Sequence, residues 1–554
     1  MYYNNAVQPL QGKDPMTSLP WYHKTAIYQI YPRSFYDSND DGIGDLQGII
    51  QKLNYLHELG FETLWISPFF SSPQADFGYD ISDYTDIAPE YGTMTDALQL
   101  IDEVHRREMK IVFDMVMNHT SDQHPWFKES RSSRGNPKAD WYLWRDKPNN
   151  WMSVTGGSGW HYAEERGQYY WASFLPFQPD LNYRNPEVKQ TMLDVVRFWL
   201  DKGVDGFRLD IFNYIYKDRE FRNNPLSFKL FPSEDDFSGF FQNPKYTVNL
   251  PESFEFAKEF RNTCEEFGGR LSIGEVSGGK NILRKFLGDE TNNGLTLVFD
   301  FKMMNFKFTA DYFRVLIREM ETHYPKPFMP VYVFSNHDRH RSIYWLKGDM
   351  RKAKLLALLQ LTARSVPCLY YGEEIGMNNS EFSVATALDP LAQKFWFIPR
   401  SLSKRIGMLV NRDEVRTPMQ WDGTKNAGFS AAQRTWLPVH ENFASINVER
   451  QSKDSGSLLN TIRAVMKIRK QEQALQEGSL ELLENLPQGV LGYVRKFDNR
   501  QVIVLLNFEE QEKEFPFECY ECLLKLSASD EAKEKAIRLD GFGGMVVTAG
   551  VVRL

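Results

Sequence analysis

Cysteine is scarce in this 554-residue chain, which has four: Cys264, Cys368, Cys519 and Cys522. So few, so widely scattered, exclude a disulfide framework and fit a reducing compartment. Cys519 and Cys522 form a C-x-x-C, yet no second pair or histidine cluster completes a zinc site and no βαβ context supports redox work; the spacing reads as coincidence. Long apolar runs are missing too. Nowhere do eighteen apolar residues stand together, and Met1 to Trp21 holds no stretch that could serve as a signal core, so the expectation is a soluble, unexported, cytoplasmic protein with no membrane partner. A basic surplus is also lacking. The formal charge of −8 leaves nothing to neutralise phosphates, which argues against nucleic acid as a partner. No internal repeat is visible.

What is present is ordinary in bulk, 42% hydrophobic and 25% charged, but rich in aromatics at 14%, with 13 Trp and 26 Tyr. Sugar-binding clefts stack on such rings, and so do plain cores. Short β-branched and aromatic runs alternate with helical patterns, the mark of a parallel α/β architecture. Eight candidate strands can be read: Ala26 to Tyr31, Thr63 to Ser67, Lys110 to Met115, Val204 to Leu209, Leu271 to Gly274, Leu295 to Phe299, Val331 to Phe334 and Cys368 to Tyr371. Eight suggest a closed (β/α)8 barrel. Val188, Met192, Val195, Val196 and Trp199 form one apolar helical stripe, which starts after Asn185-Pro186 and ends at Gly203. The Trp-, Gly-, Ser- and Pro-rich stretch before it is too long for a βα loop and reads as an inserted subdomain, residues 119–186. From Ser479 short alternating strands take over, such as Val490 to Phe497 and Gln501 to Asn507 around the turn Asp498-Asn499-Arg500. The expected layout is therefore a barrel from 1–118 and 187–478, the insertion, and a C-terminal antiparallel β domain, 479–554.

Catalytic groups of such a barrel project from the C-terminal strand ends. There the sequence has Asp114 and then Asn118-His119 on the third strand, Arg208 and Asp210 on the fourth, Glu275 on the fifth and Asn336-His337-Asp338 on the seventh. Arg208 and Asp210 stand at i and i+2, hence on one face, so the guanidinium can keep that carboxylate ionised for attack on an anomeric carbon. Glu275, if its acidic neighbours raise its pKa, can hold the proton a leaving oxygen needs. Any one such acid could be a helix cap or a surface charge. Acid, Arg and His delivered by separate strands at one level are harder to ascribe to chance.

These segments, Asp114-Met-Val-Met-Asn118-His119, Gly206-Phe-Arg208-Leu-Asp210, Gly274-Glu275 and Ser335-Asn336-His337-Asp338, resemble the α-amylase superfamily of glycoside hydrolases in content and order. Gln178-Pro-Asp-Leu-Asn182 is similar to the motif of its oligo-1,6-glucosidase and α-glucosidase branch. The resemblance implies Asp210 as nucleophile, Glu275 as acid/base and Asp338 as the carboxylate that clamps sugar hydroxyls and stabilises the transition state. It places His119, Arg208 and His337 around the glucosyl unit, with Phe174 a retained pocket aromatic. Asp76 and Tyr79 become a closed rear wall, with Arg416, in Arg416-Thr-Pro-Met-Gln-Trp421, as the partner of Asp76. A closed wall implies exo action, and a retaining mechanism implies carboxyls about 5 to 5.5 Å apart.

Asp37-Ser-Asn39-Asp-Asp41-Gly-Ile43-Gly-Asp45 puts oxygens at alternate positions around a glycine turn, as a hard cation requires. It is similar to the branch's Ca²⁺ loop, which implies a structural Ca²⁺ and no organic cofactor; a solvated acidic turn is the plain alternative. Ile211, after the nucleophile, stands where α-1,6-selective members carry Val and α-1,4-selective ones Thr, which points to isomaltose-type bonds unless Ile merely fills space. Thr155 stands where many relatives have Phe, and Arg339-His340-Arg341 departs from Gln-Pro-Arg or Lys-Pro-Arg. The implied activity is a retaining, exo-acting α-glucosidase on short oligosaccharides. Two rivals stand beside it: a transglycosylase or isomerase of the sucrose isomerase or trehalose synthase type, and a catalytically dead relative such as a transporter heavy chain, which would need a membrane helix and would lose the carboxylates kept here.

Overall fold

The computed structural model describes residues 19–229, 238–398, 403, 407–533 and 535–548; most of the leading stretch, residues 1–18, lies outside the described residues. Eight parallel strands form its centre: β1 (Ile27–Ile30), β2 (Thr63–Ile66), β3 (Lys110–Val116), β4 (Gly206–Asp210), β5 (Leu271–Gly274), β6 (Leu297–Val298), β7 (Val331–Val333) and β8 (Val366–Tyr370). They pair in the order β6-β5-β4-β3-β2-β1-β8-β7, so the barrel is hydrogen-bonded everywhere except at the seam between β6 and β7. There the 3₁₀ turn Phe301–Asn305 intervenes, and Met303 Sδ lies 3.2 Å from the Val333 N–H.

One main helix follows each strand: α1 (Leu46–Leu59), α2 (Met94–Arg106), α3 (Pro186–Asp201), α4 (Pro251–Glu265), α5 (Lys280–Phe286), α6 (Ala310–His323), α7 (Met350–Thr362) and α8 (Leu458–Gln471). Helix α3 shows why the sequence folds this way. Asn185 caps it by accepting the Glu187 N–H, Pro186 fills the first turn where its missing N–H costs nothing, and Gly203 takes φ 98 just past its end. Its stripe Val188, Met192, Val195, Val196 and Trp199 is buried as expected, each side chain contributing about 1.5–3 kcal/mol against the sheet. Among the described residues no helix is long and apolar enough to cross a membrane.

Between β3 and α3 lie a helix, Pro125–Ser132, and a three-stranded antiparallel sheet of Trp144–Arg145, Gln168–Trp171 and Trp160–Ala163. At the C-terminus a five-stranded antiparallel sheet packs on α6 and α7. Thr362 Oγ1 meets Tyr493 Oη at 2.6 Å, and Phe508 lies 5.2 Å from Phe313. Its central hairpin is one residue tighter than the sequence suggests. Arg500 pairs with Phe497, leaving Asp498-Asn499 as the turn, with Asp498 at φ 48. The four cysteines are free; Cys519 and Cys522 each turn the thiol to a backbone carbonyl, of Lys533 and Leu524, rather than to each other.

Candidate active site

Register builds the centre of the site. Parallel pairing of β3 with β4 sets Asp114 beside Arg208 and Val116 beside Asp210. Arg208, wholly buried, then donates from Nη1 to Asp114 Oδ1 at 2.7 Å and to Asp210 Oδ1 at 2.8 Å, while its Nη2 meets Glu275 Oε2. One guanidinium thus carries Asp210 and Glu275 on its two ends. Glu275 is held by its backbone: its N–H donates to Leu209 O at 2.8 Å and its carbonyl accepts the Phe212 N–H at 2.9 Å. Between the two acids Ile211 is forced to φ 37, ψ 43, a left-handed conformation that costs a β-branched residue about 1–3 kcal/mol.

Asp210, Glu275, Asp338, Asp76, Tyr79, His119, Phe174 and Ile211 all line one cavity of about 370 Å³. Arg208, His337 and Arg416 lie beneath it, fully buried, and act on the lining carboxylates rather than on the cavity itself. A larger cavity of about 530 Å³ opens beside Tyr183 and Tyr216, but Asp218 is the only carboxylate in its lining, whereas the smaller one is lined by Asp76, Asp210, Glu275 and Asp338.

Charge in the cavity is set by burial against the arginines. Burial pushes Asp210 up to about 6, the Arg208 cation opposing and the Asp114 anion adding to the rise. Desolvation outweighs the Arg208 cation, so Asp210 lies above its ordinary value. Asp210 remains mostly ionised at neutral pH. If it must be ionised to react, kcat/KM falls about tenfold per pH unit below about pH 6. A pH profile flat down to pH 4.5 would refute that assignment.

Asp338 behaves oppositely. Burial would raise it, but Arg416 Nη2 at 2.7 Å, Arg412 Nη1 at 3.3 Å and His337 Nε2 at 3.2 Å hold it well below the carboxylate range. His337 is itself pushed down to about 3 by burial and is neutral, so the charge that holds Asp338 comes from arginines, Arg412, Arg416 and Arg339. Its orientation is fixed: Gln29 Nε2 donates to Nδ1 at 2.8 Å, which leaves the ring proton on Nε2, facing Tyr79 Oη at 2.6 Å. Tyr79 in turn donates to Asp114 Oδ2 at 3.3 Å, beside Trp65 Nε1 at 3.1 Å.

His119 is oriented by a longer chain. Buried Lys217 can only donate, so Asn118 presents Oδ1 to it at 2.7 Å and its amide to His119 Nδ1 at 3.2 Å. The His119 proton then sits on Nε2, against Tyr79 O at 3.0 Å. Asp180 pairs with Lys217, and Gln178 donates to Asp76 Oδ2 and Tyr79 O, both at 3.2 Å, so Gln178-Pro-Asp-Leu-Asn182 ties the insertion to the cavity floor.

One expectation fails. Asp76 pairs not with Arg416 but with Arg412, whose Nη2 lies 2.6 Å from Asp76 Oδ1. Arg416 is committed to Asp338 and His337 O. Arg412 stands four residues earlier, on the 3₁₀ turn Arg412–Val415, and lines the cavity. Sequence reasoning missed it, although Asn411-Arg412-Asp413 beside the noted arginine was a signal to follow. The departures from the family pattern divide. Thr155 and Arg339 line the cavity, and Thr155 accepts from Lys394 at 2.6 Å, joining the insertion to the helix Pro390–Lys394. Arg341 is structural, donating to Tyr371 O and Val415 O.

In the loop from Asp37 to Asp45, the Asn39, Asp41 and Ile43 N–H groups donate to the side-chain oxygens of Asp37, Asn39 and Asp41, a ladder of Asx turns. Asp45 instead caps α1 and binds Ser38, and among the described residues no three His, Cys, Asp or Glu side chains are grouped so as to hold a metal ion.

A family model described as alpha amylase, catalytic domain, matches residues 29–478. A probable alpha-glucosidase of Rhizobium meliloti is 38% identical over 545 residues, 94% of this chain and 96% of that protein. An oligo-1,6-glucosidase of Parageobacillus thermoglucosidasius is 37% identical, with 94% of this chain and 97% of the relative covered. Solved structures superpose equally well: an alpha-glucosyl transfer enzyme with TM-score 0.86 at 34% identity, over 96% of this chain and all of that one, and an isomaltulose synthase from Klebsiella with TM-score 0.86 at 32%, over 96% and 99%.

Proposed function

The chain belongs to the alpha-amylase family of glycoside hydrolases, and from that premise we propose that it is a retaining, exo-acting α-glucosidase of short oligosaccharides that favours α-1,6 bonds. The observation that carries this reading is the sharing of one buried guanidinium by Asp210 and Glu275, which line one cavity together with Asp338 and Asp76. Asp210 attacks the anomeric carbon as Glu275 gives its proton to the departing glycosidic oxygen. Glu275, now a base, takes a proton from water, whose oxygen displaces Asp210 and frees glucose. Asp338, kept anionic by Arg412 and Arg416, binds sugar hydroxyls most strongly as positive charge grows on the ring. The Asp76–Arg412 pair walls the cavity beyond the glucosyl unit, which supports exo action.

Ile211 at the cavity wall, and relatives named oligo-1,6-glucosidase, support the linkage preference. The test is kcat/KM on isomaltose against maltose: isomaltose should exceed maltose at least severalfold, and a large preference for maltose defeats the inference from Ile211. The solved neighbours named for glucosyl transfer and isomaltulose synthesis favour a second reading, transfer to a sugar acceptor by the same acids. Products from sucrose separate the two, since hydrolysis gives only monosaccharides and transfer gives a new disaccharide.

We also propose that the Asx-turn loop takes a structural Ca²⁺, through the side chains of Asp37, Asn39, Asp41 and Asp45 and the Ile43 carbonyl. Chelation should then lower Tm and added Ca²⁺ restore it; a Tm indifferent to both would sink the idea.

A further inference from the structure

Asp389 is fully buried, carries a charge, and does not line the cavity. Its carboxylate grips Arg412 along the back edge of the guanidinium: Oδ1 accepts from Nε at 3.1 Å and from Nη2 at 2.8 Å, and Oδ2 from Nε at 3.1 Å and from the Arg412 backbone N–H at 2.8 Å. The two ends of Arg412 then reach Asp76 and Asp338, at 2.6 and 3.3 Å. Asp389 also caps the helix Pro390–Lys394 through the Leu391 N–H at 3.0 Å, and Leu391 and Phe395 line the outer wall of the cavity. Its own backbone is pinned, because Asp413 Oδ2 accepts the Leu388 and Asp389 N–H groups at 2.7 and 3.2 Å.

A guanidinium with three carboxylates within reach takes the position its strongest, least mobile partner dictates, and the bidentate, backbone-anchored Asp389 is that partner. We propose that Asp389 is a positioning residue: by holding Arg412 it fixes the rear-wall carboxylate Asp76 and the transition-state carboxylate Asp338 relative to each other, and it links both to the outer wall. This rests on the glucosidase reading of the cavity. The competing view is that Asp389 only caps a five-residue helix.

Asp389→Asn separates the two, because asparagine caps as well as aspartate but loses the charge and offers an amide N–H to the guanidinium. Steady-state kinetics on an aryl α-glucoside should be measured for the wild type, Asp389→Asn, Arg412→Lys and the double variant. The expected result is a loss of kcat/KM on the order of 10- to 100-fold in Asp389→Asn, with kcat itself falling and Tm nearly unchanged. In the Arg412→Lys background the same change should alter kcat/KM by less than about twofold, since two residues acting through one contact are not additive. Asp389→Ser, which keeps a cap oxygen, should match Asp389→Asn, and both should bind a cationic glucose-like inhibitor more weakly. Equal losses in both backgrounds, wild-type kinetics in Asp389→Asn, or loss of folded protein in both variants would overturn the proposal in favour of a purely structural cap. A wild type inert on every α-glucoside would instead remove the glucosidase reading; the kinetic ratio tests only the role of Asp389.

Discussion

Asp210→Asn should lower turnover of an aryl α-glucoside by about 10⁴-fold or more while leaving Tm close to that of the wild type. The size of the effect follows from what the amide cannot do. It has no lone pair on a charged oxygen to form the glycosyl ester, and no neighbouring acid can replace it: Asp114 is wholly buried and bound by Arg208, Trp65 and Tyr79, and Asp338 is held by two arginines. Stability should change little because the amide oxygen can still accept from Arg208 Nη1, and that guanidinium keeps its contacts with Asp114 and Glu275. Unaltered turnover by pure Asp210→Asn protein would end the assignment.

Glu275→Gln should act selectively. Hydrolysis of isomaltose, whose leaving oxygen needs a proton, should fall by about 10² to 10⁴-fold, because the amide can neither give nor take a proton. Formation of the glycosyl enzyme from α-glucosyl fluoride needs no such proton and should be largely spared. Its breakdown still needs a base for water, so added azide, which attacks without one, should restore turnover and yield a glucosyl azide. Equal losses on the fluoride and the disaccharide, with no rescue, would assign Glu275 a binding role only.

Strand ends were the legible part of this molecule. All eight strands can be read from β-branched runs bounded by turn residues, and the i, i+2 spacing of Arg208 and Asp210 already places them on one face. The α3 stripe, with its proline start and glycine stop, was equally plain, since those signals are local. What was not legible depends on long-range packing. The seam between β6 and β7 is filled by Met303 and its neighbours, which no periodicity announces. Arg412 reaches Asp76 across 336 positions, and one 3₁₀ turn decides that it, and not Arg416, does so. Asp389 sits in an irregular stretch where no strand or long helix points to it. The pKa of Asp210 is settled by how completely water is excluded, and the sequence carries the neighbouring charges but not the burial.

The central claim is double displacement through a covalent glucosyl–Asp210 ester, and the anomer released first tests it most directly. Proton NMR of a fresh isomaltose digest, recorded before mutarotation, should show α-glucose appearing ahead of the β-anomer from the non-reducing unit. Initial release of β-glucose from that unit would mean water, not Asp210, attacks the sugar, and would contradict the account.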